Sequence, residues 1–196
     1  MMPSPLEIAA SITTAASVWL AARNNVHTWW IGVVGCVLYG WVFFDARLYA
    51  DVTLQGFFIV SSMAGWLNWL RGAQGAPVAV RRTRLPHAVA LAALSVLVAI
   101  AYAAVLHRFT DAWNPWLDSL VLTFSVLAQF LLMGRRLENW FAWLLVNTIA
   151  VPLYFARELY LSAGLYLVFW CNAWYGLYRW RQELAEAAPD GVAVAA

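Results

Sequence analysis

The sequence predicts an all-α integral membrane protein, its seven transmembrane helices arranged as three plus one plus three, with the two triplets forming a parallel repeat. Three observations lead there: the composition, a series of seven apolar stretches, and self-similarity at one fixed spacing. Of 196 residues, 64% are hydrophobic and 11% are charged, against roughly 45–50% and about 25% in a soluble domain. Ten acidic and twelve basic side chains are too few to solvate a globule of this length. That excludes a water-soluble enzyme and a nucleic-acid-binding domain, and a net charge of +2 implies no acidic partner.

The apolar stretches cover residues 6–22, 28–44, 48–70, 87–106, 116–133, 140–156 and 159–180. A helix crosses the hydrocarbon layer in about 20 residues. In lipid a segment must satisfy its own backbone hydrogen bonds, which selects helix. Barrel strands would alternate over about ten residues, and the stretch HAVALAALSVLVAIAYAAVL does not. The first stretch reads as a retained span rather than a cleaved leader, because Glu7 is the only charge before residue 23 and no basic n-region precedes it.

Arginines divide unevenly between the two sides. One side carries Arg23, Arg71, Arg81, Arg82, Arg84, Arg135, Arg136, Arg179 and Arg181, the other only Arg47, Arg108 and Arg157. The positive-inside rule places the Arg-rich side in the cytoplasm of a bacterial inner membrane, with the N-terminus outside and the C-terminus inside. Residues 71–86 become a basic cytoplasmic linker, whose charge that rule explains without a nucleic-acid or lipid patch. Residues 182–196 read as a fraying helix end followed by disorder. There is no Lys in the chain, so a retinal protein, which needs one for its Schiff base, is excluded.

Sliding the chain by 111 residues pairs Trp29 with Trp140, Tyr49 with Tyr160, Gly65 with Gly176 and Trp69 with Trp180, besides several Leu and Phe matches. Residues 6–70 then form a first three-helix repeat, 87–106 a linker helix and 116–181 a second repeat. The repeats lie four crossings apart and share one orientation. Related by an axis along the membrane normal, such halves enclose a substrate site near the midplane.

In the sixth stretch Trp140, Trp143 and Asn147 stand at i, i+3 and i+7, on one helical face. Indoles attract a flat aromatic cation, and an Asn both donates and accepts hydrogen bonds. Trp140 equally suits an interfacial belt, and Asn147 an interhelical bond. Asp51 and Gln55 share a face of the third stretch, where an intramembrane carboxylate marks a pathway or a partner. Asn172 in the seventh stretch, and Asp118 and Gln129 in the fifth, are further candidates. Cys36 and Cys171 are isolated, the histidines are scattered, and neither a metal pattern nor an enzyme motif is present. No cofactor, metal or catalytic residue is expected. The few buried carboxylates argue against ion coupling.

The motif Trp140-x-x-Trp143-x-x-x-Asn147, preceded by Glu138-Asn139, resembles that of the Pnu-type vitamin transporter family. LYADVTLQGFF of the third stretch, Asp118-Ser119 and the Gly-Trp-x-x-Trp end of repeat one are similar too, so the resemblance spans residues 10–181. It implies a fold related to the SWEET sugar transporters, a homotrimer, and facilitated diffusion of nicotinamide riboside or a sister vitamin that a cytoplasmic kinase then traps. Trp143 and Asn147 would hold the aromatic, amide-bearing end of the ligand, with Trp140 stacking nearby and Gln55 facing the same chamber. Where the family can show an Asn mirroring Asn147, this chain has Gly35-Cys36. Thiamine, riboflavin and deoxynucleosides stay open as substrates, and a non-transporting receptor or scaffold is the alternative of another class.

Overall fold

The computed structural model describes residues 4–45, 49–71, 79–109, 114–156 and 160–187. Among them the chain forms seven α-helices: α1 Pro5–Ala22, α2 His27–Asp45, α3 Tyr49–Leu70, α4 Leu85–Phe109, α5 Pro115–Met133, α6 Asn139–Ala156 and α7 Tyr160–Glu186. Four of them, α1, α4, α5 and α6, are long and apolar enough to cross a membrane. Helices α3 and α7 are as long, but their apolar character is diluted by Trp, Tyr, Asn and Ser, and α2 is an equally long apolar helix without Asn or Ser.

Local chemistry sets the ends. Pro5 and Pro115 open α1 and α5, where a missing N–H costs nothing. Ser4 Oγ and Asn114 Oδ1 cap them by accepting from the Glu7 and Leu117 amides at 3.1 and 3.2 Å. Both helices stop in the same way. After α1, the amides of Asn24 and Asn25 donate to the carbonyls of Ala21 and Leu20, each at 3.0 Å. After α5, Arg135 and Arg136 donate to Leu132 and Leu131 at 3.0 and 2.9 Å. These are Schellman turns, which require a left-handed residue after the cap. Here that residue is Asn24 (φ 55°) in one and Arg135 (φ 48°) in the other, 111 positions apart.

The same spacing recurs in the packing. Trp29 meets Trp69 edge-on at 5.2 Å and 86°, and Trp140 meets Trp180 edge-on at 5.4 Å and 86°. Each first indole lies over a glycine of the third helix of its own triplet. A Cβ on Gly65 would come within 2.5 Å of Trp29, and one on Gly176 within 2.5 Å of Trp140.

Within each triplet, neighbouring helices pack in sequence order, α1 on α2 on α3 and α5 on α6 on α7. Between triplets, α1 packs on α7 and α3 on α5. Helix α4 packs on α5 through Ala99 and Ala103, its only buried residues, and turns Leu94, Leu97, Val98 and Ile100 outward. It is longer than the predicted 87–106 stretch, and α7 continues as helix to Glu186, through the first part of the predicted tail. Residues 188–196 of that tail and 72–78 of the basic linker lie outside the described residues.

Candidate functional site

Four indoles form a chain across the molecule at its Arg-rich end. Trp29 leads to Trp69, Trp69 to Trp180 at 6.3 Å, and Trp180 to Trp140. All four are buried, and the central pair joins one triplet to the other. Around them the triplets are fastened by polar contacts. Trp69 Nε1 donates to the Leu132 and Met133 carbonyls at 3.3 and 3.2 Å, and Asn68 Nδ2 donates to Met133 O at 2.7 Å. The bonds to Met133 satisfy a carbonyl that the end of α5 would otherwise leave open. Asn24 Nδ2 donates to Glu183 Oε2 at 2.6 Å.

The Arg135 guanidinium lies 3.9 Å above the Trp69 ring, a cation–π contact, and the residue is only 2% exposed. Burial lowers its pKa to about 10, against the opposing pull of Glu183. The left-handed backbone at Arg135 has a function in this setting. It falls one residue after Gly134 (φ −84°), the residue that tolerates such a turn best, and it aims the charged side chain at the partner triplet.

A second pair of inter-triplet contacts lies deeper. Asn172 Nδ2 of α7 donates to the Val18 carbonyl of α1 at 2.9 Å. Gln129 Nε2 of α5 donates to Ser61 Oγ and Ser62 Oγ of α3 at 3.3 and 3.4 Å. Val18 and Gln129 are 111 residues apart, as are Ser61 and Asn172. The two clamps therefore occupy equivalent places in the two triplets with unlike chemistry.

The predicted site residues separate into groups. Trp140 belongs to the indole chain, 2% exposed against Gly176 and Trp180, so in this conformation its ring packs against protein on both sides. Trp143 is half-buried and packs against the indole cluster and against the neighbouring cluster of Phe124, Ala128, Ala142 and Val146. Asn147 is buried, at the midpoint of α6, roughly 10 Å along the axis from Trp140 at 1.5 Å per residue. Its counterpart, Cys36, is at the midpoint of α2 and half-buried. Gln55 is half-buried on the side of α3 that faces Gly40 of α2. Asn172 is committed to Val18. Asp51 lies in the first turn of α3, and its side chain is outside the described residues. Asp118 lies half-buried in the first turn of α5. Among the described residues no group of His, Cys, Asp and Glu is placed to hold a metal ion.

Sequence reasoning did not single out Asn24, Arg135, Glu183, Ser61 or Ser62. The Trp and Gly pairs of the repeat pointed at the indole chain. The clamp donors Gln129 and Asn172 were among the candidates, but their partners escaped, because at 111-residue spacing Val18 aligns with Gln129 and Ser61 with Asn172, with no identity to notice.

Comparison with known proteins agrees with this architecture. The sequence model of a family described as nicotinamide mononucleotide transporter matches residues 4–182. The nicotinamide riboside transporter PnuC of Escherichia coli (strain K12) is 23% identical, over 92% of this chain and 87% of that protein. The riboflavin/roseoflavin transporter RibM of Streptomyces davaonensis is 26% identical, over 89% of this chain and 83% of that protein. The crystal structure of the vitamin B3 transporter PnuC shares the fold with a TM-score of 0.78 at 22% identity, covering 93% of this chain and 83% of that one.

Proposed function

Given that this chain belongs to the nicotinamide mononucleotide transporter family, we propose that it imports a vitamin-sized aromatic cation, nicotinamide riboside, by facilitated diffusion across the bacterial inner membrane. The observation that carries the reading is the doubled geometry: two like-built triplets joined across α1–α7 and α3–α5, with Asn147 and Cys36 at the midpoints of α6 and α2. Parallel repeats of this kind bind their substrate between the halves and rock about it.

In this reading all seven helices cross the bilayer, and the Arg-rich end faces the cytoplasm with the N-terminus outside. The indole chain and the Asn24–Glu183 and Arg135–Trp69 contacts close that end, and they must part for the ligand to leave inward. Asn147 presents its amide to the polar end of the ligand, while Trp143 offers a π-face to its cationic ring; Trp140, packed between Gly176 and Trp180, supports the wall behind it. Gln55 faces the same space from the first triplet, and Asp51 attracts the cation at the outer mouth. The protein works as a homotrimer, and a cytoplasmic kinase traps the vitamin by phosphorylating it. The match to RibM favours one second reading, a riboflavin-type substrate.

Uptake of labelled nicotinamide riboside into proteoliposomes tests this. Uptake without an imposed ion gradient, competed by unlabelled substrate more strongly than by thiamine or riboflavin, is expected. Uptake that needs a gradient rejects passive transport, stronger competition by riboflavin reassigns the substrate, and no uptake of any vitamin leaves a receptor or scaffold.

A further inference from the structure

The described part of the basic linker is fastened, not loose. The Arg81 amide donates to Arg135 O at 3.0 Å and the Leu137 amide donates to Arg81 O at 2.9 Å, a parallel bridge between Arg81 and Arg136. The Thr83 amide donates to Glu138 Oε2 at 3.0 Å, and Arg136 Nη1 donates to Arg82 O at 3.1 Å. Strapped over the α5–α6 turn in this way, the segment leads into α4 at Leu85. It carries Arg81, Arg82 and Arg84, all exposed, and the backbones of Arg81 and Arg82 are held against Arg136. Next to them a cavity of about 340 Å³ opens between α4, α5 and α6. Its wall includes Ala88 and Ala92 of α4, Leu127 and Leu131 of α5, and Phe141 and Leu145 of α6, with Glu138 as its one ionisable group.

We infer that this is a binding site for one anionic phospholipid, an acyl chain in the cavity and the phosphate among Arg82, Arg84 and Arg136. Membrane orientation requires arginines on this side, and a loose loop would supply them. It does not require them tied down at the mouth of an apolar cavity. The wall offers hydrogen bonds only through Glu138, which already accepts from Thr83, so a polar vitamin would lose its water there without replacement. At roughly 30 Å³ for a water-sized group, a volume of about 340 Å³ takes about eleven methylene-sized units. Three guanidinium groups against one carboxylate supply the complement to a phosphate.

Native mass spectrometry of the purified full-length protein, with phosphatidylglycerol and phosphatidylcholine of identical acyl chains added at equal concentration, tests the site. One retained phosphatidylglycerol per chain, preferred over phosphatidylcholine, is expected. Arg82→Gln and Arg84→Gln, both on the surface and harmless to folding, should each lower the preference about fivefold, the Boltzmann factor of about 1 kcal/mol per basic residue. Ala92→Trp, which fills the cavity, should remove retention of both lipids. Equal retention of the two lipids, or an unchanged preference in the double Arg variant, overturns the proposal. Displacement of the lipid signal by inorganic phosphate alone overturns it in favour of a free-anion site. A change in subunit number on Ala92→Trp with lipid retention intact overturns it in favour of a contact between copies.

Discussion

Gly65 and Gly176 are single residues on which the closed end depends, because each lets an indole lie flat on a helix backbone. Gly176→Ala forces a methyl into the Trp140 ring, which the Trp180 edge holds from the other side. Overpacking of this kind costs about 1–3 kcal/mol, and a lower midpoint of thermal unfolding in detergent is the expected readout. Gly164 has open space where its Cβ would be, so Gly164→Ala should leave the midpoint unchanged or raise it. Asn147→Ala, under the proposed function, should weaken substrate binding by about 1–3 kcal/mol, read by calorimetry as roughly 5- to 160-fold in Kd. At this scale the sequence was informative about kind and less so about role. The spacing of Trp140, Trp143 and Asn147 defines a helical face, but not what lies opposite it. Opposite Trp140 lies a glycine of α7, and close backbone approach turns that ring into packing.

Helix α4 shows what one element can reveal on its own. It touches its neighbour through alanines, so its position rests on close approach with little interdigitation. Ala103, fully buried, should not accept a larger side chain: Ala103→Leu pushes α4 off α5 and costs about 1–3 kcal/mol. Leu97→Ala, at a position 64% exposed, should cost far less, and chemical unfolding of the two variants in one detergent compares them. All seven helices were legible from apolar runs, because lipid leaves a buried chain no other state. Their ends were less so. The amphipathic final turns of α7 carry Arg181 and Glu183 and escape a criterion built on apolarity. Gly134 is the C-cap of α5, and the left-handed residue is the next one, Arg135, as Asn24 follows the cap Arg23 after α1.

At the scale of the whole molecule, the Arg-rich end is a latch made of contacts between triplets. A hydrogen bond to a charged group contributes about 1.5–3 kcal/mol. Glu183→Ala removes the one between Asn24 and Glu183 and the carboxylate that supports Arg135. Backbone amides of the α5–α6 turn, Arg135 to Leu137, should then exchange hydrogen at least about tenfold faster, while those in the middle of α4 stay as they were. Unchanged exchange at the turn would show that the latch contributes nothing to closure. The 111-residue spacing, visible in the sequence through two Trp pairs and a Gly pair, recurs in the two Schellman turns and the two edge-on indole pairs. The joints between the halves did not show, since side chains that meet across such a plan need not match.

The Schellman turns after α1 and α5 are alike in backbone and unlike in cargo, Asn24 in one and Arg135 in the other. Two separate, identical subunits would have to place the same residue at both corners and meet the ligand with identical walls. Joining them in one polypeptide lifts that constraint. Under the proposed function, an amide at the middle of α6 and a thiol at the middle of α2 give a lopsided molecule, polar at one end only, a single favourable way to lie.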